Sequence, residues 1–149
     1  MARIVAQRVS GASVCIDGEV VGEIGRGLAI LLGIHREDDD AAIDKLAAKA
    51  GVVRIFEDAG GKMNLSTSDA GGSMLVVSQF TLYADARKGR RPSFIDAAGP
   101  ELGERLYDRF VLRLREQGYA VETGRFGARM LVRIENDGPV TVILDSQEL

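Results

Sequence analysis

The chain is nearly without cysteine, histidine and proline and wholly without tryptophan: one Cys, one His, three Pro and no Trp in 149 residues. The lone Cys15 excludes an internal disulfide framework and fits a reducing compartment. One cysteine and one histidine are too few to build a structural zinc site or a His-based metal site within one chain. A Ser-His-Asp or Cys-His arrangement would have to use His35. That residue follows the apolar run 28–34 and precedes Arg36-Glu37-Asp38-Asp39-Asp40, so a surface histidine at a strand end is expected. A hydrolase built on this chain would then work without a histidine base. No apolar run approaches the ~20 residues of a membrane span. The first residues alternate in strand fashion and carry no signal-peptide apolar region. The expectation is a cytoplasmic protein with no membrane partner, no metal and no cofactor.

What is present points to one globular domain. Charged residues at 28% and apolar ones at 46% are ordinary for such a protein, and 18 glycines predict many tight turns. Strands are predicted over 3–9, 12–17, 19–24, 28–34, 52–56, 120–123, 130–135 and 140–144, with Asp17-Gly18 as a hairpin turn. Asp38 to Asp40 suit a helix N-terminus. Ile43, Leu46, Ala47 and Ala50 then share one helical face, with Gly51 as the stop. A second helix is predicted over 100–118, where Leu102, Leu106, Phe110 and Leu114 recur every four residues and Gly118 fits the position after the last turn. Its arginines, among them Arg105, Arg109 and Arg113, read as a solvated face. The fold expected is α+β: a single domain over 1–149, a largely antiparallel, barrel-like sheet, and two main helices packed on it.

The centre of the chain is Met74 to Ala84. Met74-Leu75-Val76-Val77 reads as a strand buried on both faces. Ser78, Gln79 and Thr81 then stand where a core would prefer apolar residues. Behind them, Asp85 to Pro92 carries Arg87, Lys88, Arg90 and Arg91 on a protein of net charge -3. A polar strand end beside a basic loop suits an anionic substrate held at a reacting centre. Gly22-Glu23-Ile24-Gly25-Arg26-Gly27 has the wrong spacing and setting for a dinucleotide site, and Gly61-Lys62 lacks the upstream glycine of a P-loop. Asn136-Asp137-Gly138-Pro139 reads first as a turn, yet proline at the start of a returning strand belongs at an edge or exposed tip, and its peptide bond is a candidate for cis geometry.

Ser78-Gln79-Phe80-Thr81-Leu82 and Gly138-Pro139-Val140-Thr141 together resemble the D-aminoacyl-tRNA deacylase (D-tyrosyl-tRNA deacylase) family. The resemblance extends to Gln7-Arg8-Val9, Arg54-Ile55-Phe56, Gly61 to Ser66, Gly89 to Phe94, Glu122 to Gly127 and Leu144-Asp145-Ser146. It implies hydrolysis of the ester between a D-amino acid and tRNA, in a homodimer whose active sites lie at the subunit interface. Ser78, Gln79, Phe80 and Thr81 match the strand end around the ester and the terminal adenosine. Gly138 and Pro139 match a dipeptide that projects into the partner's site and excludes L-side chains, and Arg8 matches the arginine that holds it. Met63 and Asn64 fall in a matching stretch as substrate-binding residues, and Arg87, Lys88, Arg90 and Arg91 are candidates for tRNA phosphates. Backbone N–H groups near Phe80 and Thr81 would serve the oxyanion, with Thr81 as a positioner rather than a nucleophile. Two other readings use the same residues: a non-catalytic module for RNA 3′ ends, and an unselective small-molecule esterase with Thr81 as nucleophile.

Overall fold

A computed structural model describes residues 1–149. One long strand organises it. β1 (Arg3–Ile16) pairs along its length with β8 (Leu131–Asp145). Its other edge is shared between β3 (Gly27–Gly33), against the first half, and β2 (Glu19–Ile24), against the second. Two strands, over 3–9 and 12–17, were expected here. The chain instead runs through, with register shifts against β8 between Gln7 and Val9 and between Val9 and Gly11. An extra residue in a ladder bends a strand without ending it. The β1–β2 turn is as expected: Asp17 and Gly18 both have positive φ, 50° and 79°.

After β3 the chain crosses over through α1 (Asp40–Val52), the small hairpin of β4 (Phe56–Glu57) and β5 (Met63–Leu65), and returns as β6 (Ser73–Ser78), parallel to β3. α2 (Pro100–Glu116) makes the second crossover, to β7 (Val121–Thr123), parallel to β6. The sheet order is β2-β1-β3-β6-β7, with β8 on β1. The α+β, mostly antiparallel, barrel-like expectation holds; the two parallel pairings come from the two helical crossovers. No helix is long and apolar enough to cross a membrane.

β3 and β6 are buried on both faces, as their unbroken apolar runs predict. Leu28, Ile30, Leu32, Met74 and Val76 pack towards the helices, with Ile43, Leu46, Leu106, Phe110 and Leu114. Ala29, Leu75 and Val77 face the other way, onto Val9, Val14 and Ile24 from the bent part of the sheet. Asp39 caps α1 by accepting the Ala42 N–H at 2.9 Å.

Three sequence expectations are corrected. Val52 to Phe56 is not a strand: α1 continues through Gly51 to Val52, and only Phe56–Glu57 pairs. Position 51 lies inside the helix, and it is glycine because Gln117 packs where a side chain would be, 1.8 Å from an ideal Cβ. The α2 arginines are not merely solvated. Arg109 donates to both Asp44 carboxylate oxygens, at 2.7 and 2.8 Å, Arg113 donates to Asp44 at 2.9 Å, and Arg105 to Asp40 at 2.7 Å. These hydrogen bonds, led by that from Arg109, pull the Asp44 carboxyl down to about 2. Finally, His35 is buried, not on the surface, at 5% exposure.

Candidate active site

β6 delivers the central motif. Val77 is its last fully buried residue, Ser78 ends the strand, and Phe80–Tyr83 forms a single 3-10 turn. The Gln79 N–H still reaches back to Leu32 O at 2.8 Å, which fixes where the turn begins. Within the turn, Leu82 N–H donates to Gln79 O and Ala84 N–H to Thr81 O. The N–H groups of Phe80 and Thr81 have no acceptor in the chain. Such open donors at the start of a turn are suited to a developing negative charge. The Gln79 side-chain amide donates to Thr81 Oγ1, and no carboxylate, histidine or lysine is hydrogen-bonded to that hydroxyl. His35 cannot be its base. Its Nδ1 accepts the Glu37 N–H at 3.0 Å and its ring packs edge-on against Tyr83.

Beside the turn opens a cleft of about 610 Å³, lined by Ser78, Gln79 and Phe80 together with Phe94, Phe126 and Met130. The Phe80 and Phe94 rings meet edge to face, with centroids 5.2 Å apart. Phe80 is nevertheless 54% exposed, an unusual position for a large aromatic unless something covers it. Phe94, Phe126 and Met130 were not among the site residues expected from sequence. The signal was an aromatic residue directly following the basic loop. That loop is pinned at its base by paired backbone bonds between Asp85 and Ser93, at 2.7 and 2.8 Å. Arg87 folds back on Asp85 with contacts of 2.9 and 2.7 Å, which hold the Asp85 carboxyl near 2. Lys88, Arg90 and Arg91 make no ion pair and are exposed.

The remaining expected residues gather elsewhere. Between Asn136 and Thr141 the β8 ladder breaks, and the segment Asp137 to Val140 bulges out opposite the single residue Arg8. Gly138-Pro139 is a cis peptide in that bulge, at the edge as expected. Arg8, only 6% exposed, donates to Asp137 O at 3.1 Å and to Ile55 O at 3.0 Å. Asn136 closes the bulge from inside, its side-chain N–H donating to Arg8 O and Val140 O, each at 3.0 Å. Gly138 has φ 125°, and a Cβ there would lie 2.9 Å from the Arg8 guanidinium. Arg8 also lies 3.8 Å from Glu57 in the β4–β5 hairpin, which carries Met63 and Asn64; Met63 is 55% exposed.

The two groups do not meet within one chain. Register puts Ser78 level with Leu32, Ile4 and Leu144, whereas Arg8 is level with Leu28 and Met74. Ser78 is therefore four residues and three strand spacings from the bulge, on the order of 20 Å at ~3.3 Å per residue and ~4.8 Å per strand.

Fold and cleft place the chain among single-domain α+β proteins with an open aromatic pocket at a strand end. Comparison with known proteins narrows this. The family described as D-Tyr-tRNA(Tyr) deacylase matches residues 5–145. D-aminoacyl-tRNA deacylase of Symbiobacterium thermophilum is 59% identical over 146 residues, 98% of this chain and 97% of the relative. The protein of the same name from Thermomicrobium roseum is 58% identical over 147 residues, 99% of this chain and 96% of its own. The solved structure of a c-Myc DNA Unwinding Element Binding Protein superposes with TM-score 0.90 at 41% identity, over 96% of this chain and 97% of that one. A probable eukaryotic D-amino acid tRNA deacylase shares the fold, with TM-score 0.82 at 22% identity, over 97% and 98% of the two chains. The chain belongs to the D-Tyr-tRNA(Tyr) deacylase family, and the expectation of an enzyme of the deacylase, ester-hydrolase class is met by the family and its relatives.

Proposed function

We propose that this chain hydrolyses the ester joining a D-amino acid to the 3′-terminal adenosine of tRNA, in the cytoplasm, at sites each completed by a second copy. The observation that carries the chemistry is the pair of open amides, Phe80 and Thr81, at the mouth of an aromatic cleft with no side-chain base in reach. Phe80, Phe94 and Phe126 offer faces for the adenine, since base–aromatic stacking is worth ~1–3 kcal/mol. Stacking there would bring the ester beside the turn. Water adds to the ester carbon, assisted by the neighbouring ribose 2′-hydroxyl, and the carbonyl oxygen gathers negative charge. The Phe80 and Thr81 N–H groups stabilise that oxyanion, a contribution of roughly 3 kcal/mol per well-placed donor. The bond to the ribose 3′ oxygen then breaks, which releases the free amino acid and tRNA. Ser78 and Gln79 shape the approach, and Gln79 holds Thr81 in its role as positioner. Lys88, Arg90 and Arg91 meet the phosphates upstream of the adenosine; Arg87 contributes less because Asp85 occupies it.

Selection against L-esters falls to Gly138-Pro139. The enantiomers differ only in where Cβ points, so rejection by steric clash is sufficient. Main-chain atoms braced by Arg8 make a wall that cannot rotate aside. The ~20 Å between bulge and turn along one sheet supports a wall supplied by the partner, as does an apolar row on that sheet, exposed at one end and half-buried along the rest. Ile143, 64% exposed, lies directly across from Val5, which lies across from Leu31. A second copy would cover this apolar row. Met63 and Asn64, beside the bulge, would then face the partner's substrate.

The test is incubation with D-Tyr-tRNA and L-Tyr-tRNA. Hydrolysis of the D-ester alone is expected. Loss of both esters would mark an unselective esterase. Loss of neither would mark a nucleic-acid-binding module, a reading that the name of the 41%-identical structure also favours.

A further inference from the structure

The geometry points to Gly33 and Tyr83 as positioning residues that hold the Phe80 and Thr81 amides at the reacting carbonyl, an inference that rests on the deacylase reading above. Gly33 ends β3 directly beneath the 3-10 turn. A Cβ built on it would lie 2.9 Å from Leu82 Cβ, 3.2 Å from the Tyr83 ring and 3.3 Å from Gln79 O. Carbon atoms in ordinary contact sit ~3.5–4.0 Å apart, so even a methyl group is too close by more than ~0.5 Å. Leu82 Cβ is fixed to the backbone and cannot rotate away. The turn itself would have to move.

Tyr83 fixes the far end of the same turn. Its side chain is buried, with the His35 ring 5.3 Å away edge-on and the Arg3 guanidinium 5.2 Å from the ring centroid. Its hydroxyl is buried without a hydrogen-bond partner. Packing of the ring, not a bond from the hydroxyl, therefore sets its place. The turn between these anchors is short and closed by its own hydrogen bonds, so displacement at Leu82 or Tyr83 is passed to Phe80 and Thr81 two residues away. Neither anchor lines the cleft or bears charge towards tRNA. They should affect the chemical step and leave binding alone.

The experiment measures kcat and KM of the full chain for D-Tyr-tRNA, with single-turnover rates and circular dichroism on each variant. Gly33→Ala should lower kcat about 10- to 100-fold with KM within about twofold, the pattern of an interaction made only in the transition state. Tyr83→Leu should lower kcat at least ~10-fold, whereas Tyr83→Phe, which keeps the ring, should stay within about twofold. If Gly33→Ala fails to fold, the two Tyr83 variants decide. A folded Gly33→Ala or Tyr83→Leu protein with wild-type kcat would overturn the inference, as would a change confined to KM. Wild-type protein that leaves D-Tyr-tRNA intact would instead overturn the deacylase reading, and the inference with it.

Discussion

The turn at Phe80–Tyr83 and the bulge at Asp137 to Val140 are both places where the backbone leaves its ladder, yet they are held by opposite means. In the turn, carbonyls are occupied by neighbouring N–H groups, the amides of Phe80 and Thr81 stay open, and the support is apolar. In the bulge, a buried arginine and an asparagine take the carbonyls of Asp137 and Val140. A surface that donates to charge must keep its N–H groups free. A surface that excludes must keep its backbone still, and buried charge-assisted hydrogen bonds do that. The two regions should therefore fail differently when altered.

The largest effect is expected at Arg8. Arg8→Met keeps most of the side-chain volume but leaves the Ile55 and Asp137 carbonyls without their donor. Urea denaturation should show a loss of about 2–4 kcal/mol, and the D-over-L rate ratio should fall at least tenfold. Next comes Gly138→Ala. Its new Cβ would sit 2.8 Å from Val140 Cγ2 and 2.9 Å from Arg8, at a φ of 125° that a side chain disfavours. Paired assays on D- and L-Tyr-tRNA should find the ratio reduced, with the folded turn unaffected. Thr81→Ala sharpens the contrast from the other side. With no base near its hydroxyl, the variant should keep its rate within about tenfold, where loss of a covalent nucleophile costs several orders of magnitude. An acyl ester trapped on Thr81 would refute this. Neutralising Lys88, Arg90 and Arg91 should weaken tRNA binding and flatten its salt dependence by about one unit of slope per lost phosphate contact, with Arg87→Gln changing it least.

The smallest effect lies outside both regions. The folded Asp44 carboxyl titrates near 2, below its ordinary 3.8. The arginines thus stabilise the fold fully above about pH 4, and this contribution is lost as pH falls through the folded value. At 37% side-chain exposure, solvent screening limits it to about 1 kcal/mol or less. Asp44→Asn should accordingly reduce stability at pH 5 and make little difference near pH 2.

Much of this was legible in the residues because periodicity reports burial. The four apolar residues from Met74 announced a strand covered on both sides, and the four-residue spacing in α2 announced its buried stripe. The strand-end cluster Ser78 to Thr81 stood out because polar residues rarely follow such a run. What was misread depended on partners far away in sequence. Arg105, Arg109 and Arg113 form a stripe matched by Asp40 and Asp44, but only packing of the two helices brings them together. His35 looked exposed beside its acidic neighbours, yet the turn after β6 folds Tyr83 over it. A break was expected between Val9 and Ala12 and a turn at Gly138, and both proved to be irregularities inside long strands, because β1 and β8 each carry pairing past the other's interruption. Phe94 and Phe126 gave no periodic signal at all, since loop aromatics are placed by the cleft they line.

The central claim is that turn and wall come from different copies, and mixed dimers test it directly. Gly33→Ala supplies a copy with a defective turn and an intact wall, and Gly138→Ala a copy with the reverse. In a two-fold dimer with shared sites, mixing them pairs one intact turn with one intact wall. Random mixing should then give half of all intact turns an intact wall, so the D-over-L ratio of the mixture should rise about twofold above that of the Gly138→Ala parent. A D-over-L ratio no higher than that of the Gly138→Ala parent would contradict the account, because each copy would then hold a complete site of its own.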